Sequence, residues 1–155
     1  MTSPAQRLAE LGITLPTPVT PVANYIPFTR AGDLIHVSGQ VSIDAATGRR
    51  VTGVVGEDVD LVTAQEAARF CAINLIAQIN TACGGDLDRV RQVAKLNGFV
   101  QAGSTFFDIP QVINGASDLM VAVFGDKGRH ARSAVGVYRL PMNFAVEVDC
   151  VVWVV

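Results

Sequence analysis

Apolar residues recur at helical spacing in two stretches of the chain. In the longer stretch, between Asp60 and Gly84, intervals of three or four residues separate Leu61, Ala64, Ala68, Cys71, Leu75, Ile79 and Ala82. This period predicts an amphipathic helix of about six turns. A second helix is predicted to begin after Asp108, which can cap it, and to end before Gly125, with Pro110 in its first turn.

The C-terminal segment alternates in the manner of a β-strand. Its apolar face consists of Val146, Val148, Cys150, Val152 and Val154, and its other face carries Ala145, Glu147, Asp149, Val151, Trp153 and Val155. This second face begins polar and turns apolar at Val151. A strand that is apolar on both faces must be covered on both sides, so we expect another subunit beyond the sheet.

Further β-rich segments surround turn signals. Residues 25–30 and 34–38 flank Ala31-Gly32-Asp33 and predict a hairpin. Residues 90–100 predict a central strand, and the polar stretch 44–58 predicts a loop that contains a short strand. The segment from Gly128 to Tyr138 is separated from the last strand by Leu140-Pro141-Met142-Asn143, which predicts a second antiparallel hairpin.

The first 22 residues are predicted to contain a short helix and a connector. Ser3, Pro4, Gln6 and Gly12 supply the cap, first-turn proline, capping box and stop of a short helix over residues 3–12. A connector held extended by prolines follows, with Pro16, Pro18 and Pro21. The element order predicts one α+β domain over residues 1–155, with two long helices packed on one face of an antiparallel or mixed sheet.

Composition narrows the classes of function. Of 155 residues, 50% are hydrophobic and 17% charged, which favours a well-packed domain whose charge-poor surface forms oligomers. The net charge of -2 argues against nucleic acid as a partner. Three cysteines without metal-ligand spacing, Cys71, Cys83 and Cys150, indicate buried thiols in a reducing compartment. Without a signal pattern or an apolar run of membrane length, we expect a cytoplasmic protein that does not bind membranes.

Two charged residues interrupt the β-rich C-terminal segments. Arg132 begins a strand, and its planar guanidinium suits a carboxylate; a structural ion pair or a side chain lying along the surface is the alternative. Glu147 places a charge in an apolar strand, and a solvated strand face shared with Asp149 is its alternative. In the predicted hairpin, Glu147 lies opposite about residue 136, roughly 13 Å along the strand from Arg132. A site that uses both would therefore lie between subunits.

Five short motifs occur in a characteristic order. They are Val37-Ser38-Gly39-Gln40 at a strand end, Asn114 within a helix, Arg132-Ser133 opening a strand, Leu140-Pro141, and Val146-Glu147-Val148. Together they resemble the reactive intermediate deaminase family, called Rid or YjgF. The resemblance runs from about Tyr25 to the C terminus, which makes the N-terminal helix an addition typical of a longer branch.

This resemblance implies a chorismate-mutase-like fold assembled as a homotrimer, with sites in the clefts between subunits. It implies hydrolysis of 2-imino or 2-enamino acids to 2-keto acids and ammonia, without a cofactor or a metal. The catalytic residues would be Arg132, which binds the carboxylate of a small metabolite, and Glu147, which holds the reacting water. The positions that match other residues of the same pocket are Tyr25, Ser38, Asn114 and Ala134.

Two positions depart from the family pattern. Archetypal members carry a cysteine where this chain has Ala134 and an acid where it has Gly136. A trimer that binds small carboxylates without turnover is therefore the alternative to an enzyme. A ribonuclease, an older label of the family, is disfavoured by the acidic pI of about 5.6. His36 and His130 are further candidates for chemistry, although isolated histidines of this kind are usually structural.

Overall fold

The computed structural model of the chain describes residues 2–18 and 23–155. Within them, helices and strands follow in the order α1 (Pro4–Glu10), β1 (Phe28–Ala31), β2 (Leu34–Val41), α2 (Leu61–Ala82), β3 (Val90–Gln101), α3 (Ile109–Phe124), β4 (Ala131–Val137) and β5 (Val146–Val154). The strands form one five-stranded mixed sheet in the order β1-β2-β5-β3-β4. The fold is therefore α+β, as predicted.

The predicted helices are confirmed. The capping box of Ser3 and Gln6 opens α1, and the side chain of Asp60 accepts from Thr63 N at 2.8 Å at the start of α2. Asp108 precedes α3, but its side chain does not cap the helix. Gly125 ends α3 with a φ of 63°, a left-handed value that glycine adopts without strain. Pro21, the last proline of the predicted connector, lies outside the described residues.

The two long helices pack on one face of the sheet, as expected. The apolar residues of β5 point toward these helices, and all of them are buried: Val146, Val148, Cys150, Val152 and Val154. We call the opposite side the outer face; it carries Glu147, Asp149, Val151 and Trp153. Trp153 is 48% exposed there. The alternation predicted for the last strand is thus confirmed, and the described chain leaves its outer face uncovered.

The predicted second hairpin is wrong. Strand β3 lies between β4 and β5, parallel to β4 and antiparallel to β5. Helix α3 is the crossover that parallel strands require, so β4 returns beside β3. The short strand predicted within residues 44–58 is also not formed, since among the described residues this stretch contributes only isolated bridges, to Ile43, Val59, Ala102 and Phe144.

A buried amide fixes the connection from β4 to β5 across the end of β3. Gln101 Nε2 donates to Asn143 Oδ1 at 2.7 Å and to the Gly53 carbonyl oxygen at 3.0 Å. Its Oε1 accepts from Leu140 N at 2.8 Å. Met142 and Asn143 adopt φ values of 53° and 61°, so the proline-asparagine signal marks a real turn. That turn joins strands that are not neighbours.

Helix α1 packs against α3 at the edge of the domain. Leu8 is buried, and Arg7 Nη1 donates to the Val123 carbonyl oxygen at 3.4 Å. Across residues 2–18 and 23–155, every helix is too short or too polar to cross a membrane.

Candidate functional site

Arg132 lies on the edge strand β4, on the face that α3 covers. Its Nη1 donates to Asn114 Oδ1 at 2.8 Å and to Ser117 Oγ at 3.2 Å. Asn114 and Ser117 are three residues apart on α3, so both side chains reach the same strand. The fold thus brings together Asn114 and Arg132, which the sequence predicted separately. We call Asn114, Ser117, His130 and Arg132 the arginine cluster.

His130 joins the arginine cluster through Ser117. Its Nδ1 lies 2.6 Å from the Gly128 carbonyl oxygen, and its Nε2 lies 2.9 Å from Ser117 Oγ. Because a carbonyl oxygen only accepts, the network assigns the proton of the neutral ring to Nδ1, and Nε2 then accepts from the Ser117 hydroxyl. Burial lowers the pKa of His130. The hydrogen bond to Gly128 raises it, and the positive charge of Arg132 lowers it further. Neutral His130 therefore orients the hydroxyl that Arg132 contacts.

The guanidinium of Arg132 has neutral partners only. Ion pairs in the described part of the chain form between Arg30 and Asp33, Arg49 and Glu66, and Arg129 and Asp126, and none includes Arg132. The structural ion pair considered from the sequence is therefore not formed. Of the three guanidinium nitrogens of Arg132, only Nη1 makes hydrogen bonds to described residues. Nε and Nη2 can therefore bind an anion. Its fork of N–H groups matches a carboxylate.

A second group of predicted residues lies together where β2 pairs with β5. β2 is irregular between Val37 and Gln40, and the side chain of Glu147 lies against Gly39 there. A Cβ at position 39 would stand 2.9 Å from Cδ of Glu147, so any larger residue there would push the carboxyl end of Glu147 aside. Ser38 Oγ donates to the carbonyl oxygen of Ile26 at 2.8 Å, next to Tyr25. We call Tyr25, Ser38, Gly39 and Glu147 the glutamate cluster.

The carboxylate of Glu147 is half-buried, in contrast to the solvated strand face considered from the sequence. Burial raises the pKa of Glu147, and the negative charge of Asp149 raises it further. Asp149 lies on the same outer face and accepts from Asn97 Nδ2 at 2.7 Å. A carboxylate with a raised pKa is a stronger base, which suits it to accept a proton from water near neutral pH.

The arginine and glutamate clusters lie on opposite faces of the sheet. Arg132 is level with Leu96, whose side chain points to the helices, whereas Glu147 is level with Phe99 on the outer face. Arg132 and Glu147 are separated by two strand spacings across the sheet and by three residues along the strands, about 10 Å in each of these two directions. The hairpin that suggested a separation was wrong, but one chain indeed keeps Arg132 and Glu147 away from one small ligand.

The other candidates are placed as follows. Ala134 lies two residues after Arg132, on the same face of β4, and Gly136 lies two residues further along the strand. Tyr25 is 57% exposed, and His36 is exposed on the outer face, opposite Val151. Sequence reasoning missed Ser117, although its spacing of three from Asn114 on a predicted helix was an available signal. Within the ranges the structure describes, His, Cys, Asp and Glu side chains form no group of three or more that could hold a metal ion.

Comparisons with known proteins agree with these features. Residues 5–154 match the family model described as "YjgF/chorismate_mutase-like, putative endoribonuclease". The chain is 46% identical to Protein TCP17 of Trypanosoma cruzi, over 96% of this chain and 92% of that protein. It is 26% identical to a 2-iminobutanoate/2-iminopropanoate deaminase of Dermatophagoides farinae, over 90% of this chain and 93% of that protein.

A solved structure shows the same fold. The crystal structure of the protein Atu1372 from Agrobacterium tumefaciens, of unknown function, matches with a TM-score of 0.89 and 50% identity, over 96% of this chain and 91% of that one. The family match, the relatives and the motifs around Ser38, Arg132 and Glu147 point the same way. This chain belongs to the YjgF/Rid family and has its chorismate-mutase-like α+β fold.

Proposed function

We propose that the protein hydrolyses reactive 2-imino or 2-enamino acids to 2-keto acids and ammonia, without a cofactor. The observation that carries the proposal is the guanidinium of Arg132, which Asn114 and Ser117 fix while no acid neutralises it in the described residues. Such a group is ready to bind the carboxylate of a small substrate. The relative from Dermatophagoides farinae, named as a deaminase of 2-imino acids, supports the same reaction.

The chemistry needs few groups because the substrate is already electrophilic. Arg132 holds the substrate carboxylate, and Glu147 accepts a proton from water as the water oxygen bonds to the imine carbon. A proton transferred to nitrogen makes ammonia the leaving group. The carbon–nitrogen bond then breaks as the carbonyl of the 2-keto acid forms. Each turnover consumes one water and releases one ammonia.

The site is proposed to form between copies in a homotrimer. Glu147 lies on the outer face, where Trp153, Leu34 and Val135 are exposed apolar residues that a neighbouring copy can cover. A neighbour that presents its edge strand β4 to this face would bring the arginine cluster of one chain to the glutamate cluster of another. Three buried free cysteines fit a reducing compartment such as the cytoplasm.

A trimer that binds small carboxylates without turnover is the second candidate. Ala134 favours it, because this position beside Arg132 carries only a methyl group and contributes no polar or reactive atom. Such a protein would use Arg132 in the same way. It would leave the decay of an imine unchanged.

The deciding experiment measures keto-acid release from imines that an amino-acid oxidase generates in place. A deaminase must exceed the spontaneous decay in water, and we expect Arg132→Ala to abolish the acceleration. The matched control is Arg129→Ala, which removes an exposed arginine that pairs with Asp126 instead. Glu147→Gln keeps the shape and removes the charge, so it should lose much of the acceleration. Glu57→Gln, on the exposed surface, should not.

Binding is measured separately by calorimetric titration with pyruvate and 2-oxobutanoate. Keto-acid binding that depends on Arg132, together with imine decay at the spontaneous rate for short, branched and aromatic side chains, would establish the binding protein and refute the deaminase. Acceleration that survives in Arg132→Ala would place the site elsewhere.

A further inference from the structure

Both N–H groups of Nη1 of Arg132 are engaged within the chain. Nη1 donates to Asn114 Oδ1 at 2.8 Å and to Ser117 Oγ at 3.2 Å. A guanidinium carries five N–H groups, so Nε and Nη2, which together form one edge of the planar group, keep theirs for a ligand. Two parallel N–H groups on one edge match the two oxygens of a carboxylate. Arg132 is only partly buried on the edge strand β4, so a ligand can approach it.

The direction of the hydrogen bonds around Ser117 is set by Gly128. The carbonyl oxygen of Gly128 accepts from Nδ1 of His130, so Nε2 accepts the hydroxyl proton of Ser117. With its proton committed to His130, Ser117 Oγ faces Arg132 as an acceptor. If His130 carried its proton on Nε2, Ser117 Oγ would receive two donors and its own proton would lose this partner. Donation therefore runs in one direction, from Arg132 through Ser117 and His130 to Gly128.

Gly128 is held against the backbone of helix α3. A Cβ at this position would stand 2.6 Å from the carbonyl carbon of Met120 and 2.8 Å from Cα of Val121. Backbone atoms of a helix cannot move aside as the end of a side chain can, so this close approach requires glycine. The same helix carries Asn114 and Ser117. Both ends of the hydrogen-bond network are therefore fixed to α3.

We infer that Ser117 and His130 are positioning residues of the carboxylate site, which hold Nη1 of Arg132 so that Nε and Nη2 receive the substrate carboxylate side-on. His130 acts through Ser117 and does not touch the substrate. This role rests on the proposed function in one respect only, that Arg132 binds a carboxylate. The deaminase and the trimer that binds without turnover share that property.

Calorimetric titration of the full chain with pyruvate measures the contribution of each residue. Ser117→Ala removes an acceptor of Nη1 and should weaken pyruvate binding about tenfold, whereas Ser117→Thr keeps a hydroxyl and should restore the affinity. His130→Phe keeps a planar ring without an acceptor and should weaken binding about fivefold. His130→Gln, whose Oε1 can accept from Ser117, should restore most of the affinity, and equal affinities of the Phe and Gln variants would overturn the role of this hydrogen bond. The control is Ser104→Ala, an exposed serine before α3, which should bind pyruvate like the wild type.

The double variant tests whether His130 acts through Ser117. If it does, Ser117→Ala combined with His130→Phe should bind pyruvate as weakly as Ser117→Ala alone, about tenfold below the wild type. Independent contributions would instead multiply to about fiftyfold, and that result would overturn the action of His130 through Ser117.

NMR of the isotope-labelled protein tests the geometry. The ring nitrogens of His130 should report the tautomer protonated on Nδ1, and protonation on Nε2 alone would overturn the direction of the network. The Nε–H resonance of Arg132 is assigned by its absence in Arg132→Lys. It should shift when pyruvate is added, because Nε then donates to the carboxylate. A resonance that stays in place at saturating pyruvate would overturn the side-on contact.

The decay of imines separates this role from the proposed reaction. Acceleration that Arg132→Ala abolishes, but that Ser117→Ala and His130→Phe leave unchanged together with the pyruvate affinity, would overturn the positioning role and retain the deaminase. Coupled losses of pyruvate affinity, in a protein that leaves imine decay at the spontaneous rate, would retain the positioning role and overturn the deaminase.

Discussion

Two buried glutamines lead to opposite predictions for the same substitution. Gln78 has an Oε1 without a partner among the described residues, whereas Gln101 is fully buried and uses both ends of its amide. Methionine has a similar length and adapts to irregular apolar surroundings. Gln78→Met removes an unsatisfied buried group that costs about 1–3 kcal/mol, so the free energy of unfolding should rise by up to that amount.

Gln101→Met should have the opposite effect. The three groups that lose their partner are the amide nitrogen of Leu140, the carbonyl oxygen of Gly53 and Oδ1 of Asn143. The bond to Gly53 is buried and the other two are partly buried, so the expected destabilisation is at least about 1–3 kcal/mol, the cost of one buried polar group left unpaired. The contrast between the two variants reports hydrogen bonding, because the chemical change is identical.

Urea unfolding followed by circular dichroism provides the measurement, at one protein concentration, since association changes apparent stability. In thermal unfolding, each kcal/mol corresponds to about 2–4 °C for a chain of this length. If Gln78→Met destabilises the protein as much as Gln101→Met, the amide of Gln78 is satisfied in the folded protein.

Four further predictions test the interface and the two clusters. Trp153→Asp should dissociate or unfold the proposed oligomer in sedimentation, because it puts a charge on the surface that we propose a neighbour covers; an intact trimer would contradict the outer-face interface. Arg132→Lys keeps the charge but loses the fork, so keto-acid affinity should fall at least about tenfold by calorimetry, and equal affinity would exclude Arg132. The folded-state pKa of His130 lies below its ordinary 6.5. The contribution of neutral His130 to stability is therefore complete above pH 6.5 and is lost as the pH falls from 6.5 through the folded-state pKa. In urea unfolding at a series of pH values, His130→Gln should lack this decline. Glu147 has a folded-state pKa above its ordinary 4.5, so Glu147→Gln should be the more stable protein at pH 7. The difference should be complete above the folded-state pKa and disappear below the ordinary 4.5; a constant difference would show that ionisation is not its cause.

Local patterns predicted the elements well because burial on one side determines them. The recurrence of apolar residues between Leu61 and Ala82 defines α2, and the alternation from Val146 to Val154 identifies the buried face of β5. Both patterns follow from the side-chain period of a single element. They do not depend on which neighbour lies beside it.

Strand pairing was predicted wrongly because it is decided by distant contacts. The turn at Pro141–Asn143 has the backbone conformation expected of a tight turn, and a hairpin is the nearest local solution. The structure instead places β3 between the two strands, and Gln101, about 40 positions earlier than the turn, holds the connection. No periodicity within the turn or its flanking strands encodes that contact.

Recognition of the site from the sequence had a similar limit. The motifs identified Arg132, Asn114 and Glu147, but not the two faces on which they lie. Gln78 lies three residues after Leu75 and thus on the buried stripe of α2, where a polar residue is unusual. That spacing was visible in the sequence. Whether the amide of Gln78 finds a hydrogen-bond partner depends on contacts with distant segments, which that spacing does not encode.

In the proposed assembly, a neighbouring copy would change the basicity of Glu147. In one chain its carboxylate is half-buried, and burial together with Asp149 already raises its pKa. A neighbour that covers the outer face removes more water from the carboxylate and raises the pKa further, while a guanidinium brought close by the same neighbour lowers it. In the proposed site, the pKa of Glu147 therefore depends on the burial of its carboxylate, on Asp149 and on its distance from the guanidinium of the neighbouring copy. A substrate carboxylate bound between the two would neutralise Arg132 and leave Glu147 with the higher pKa when the water is activated.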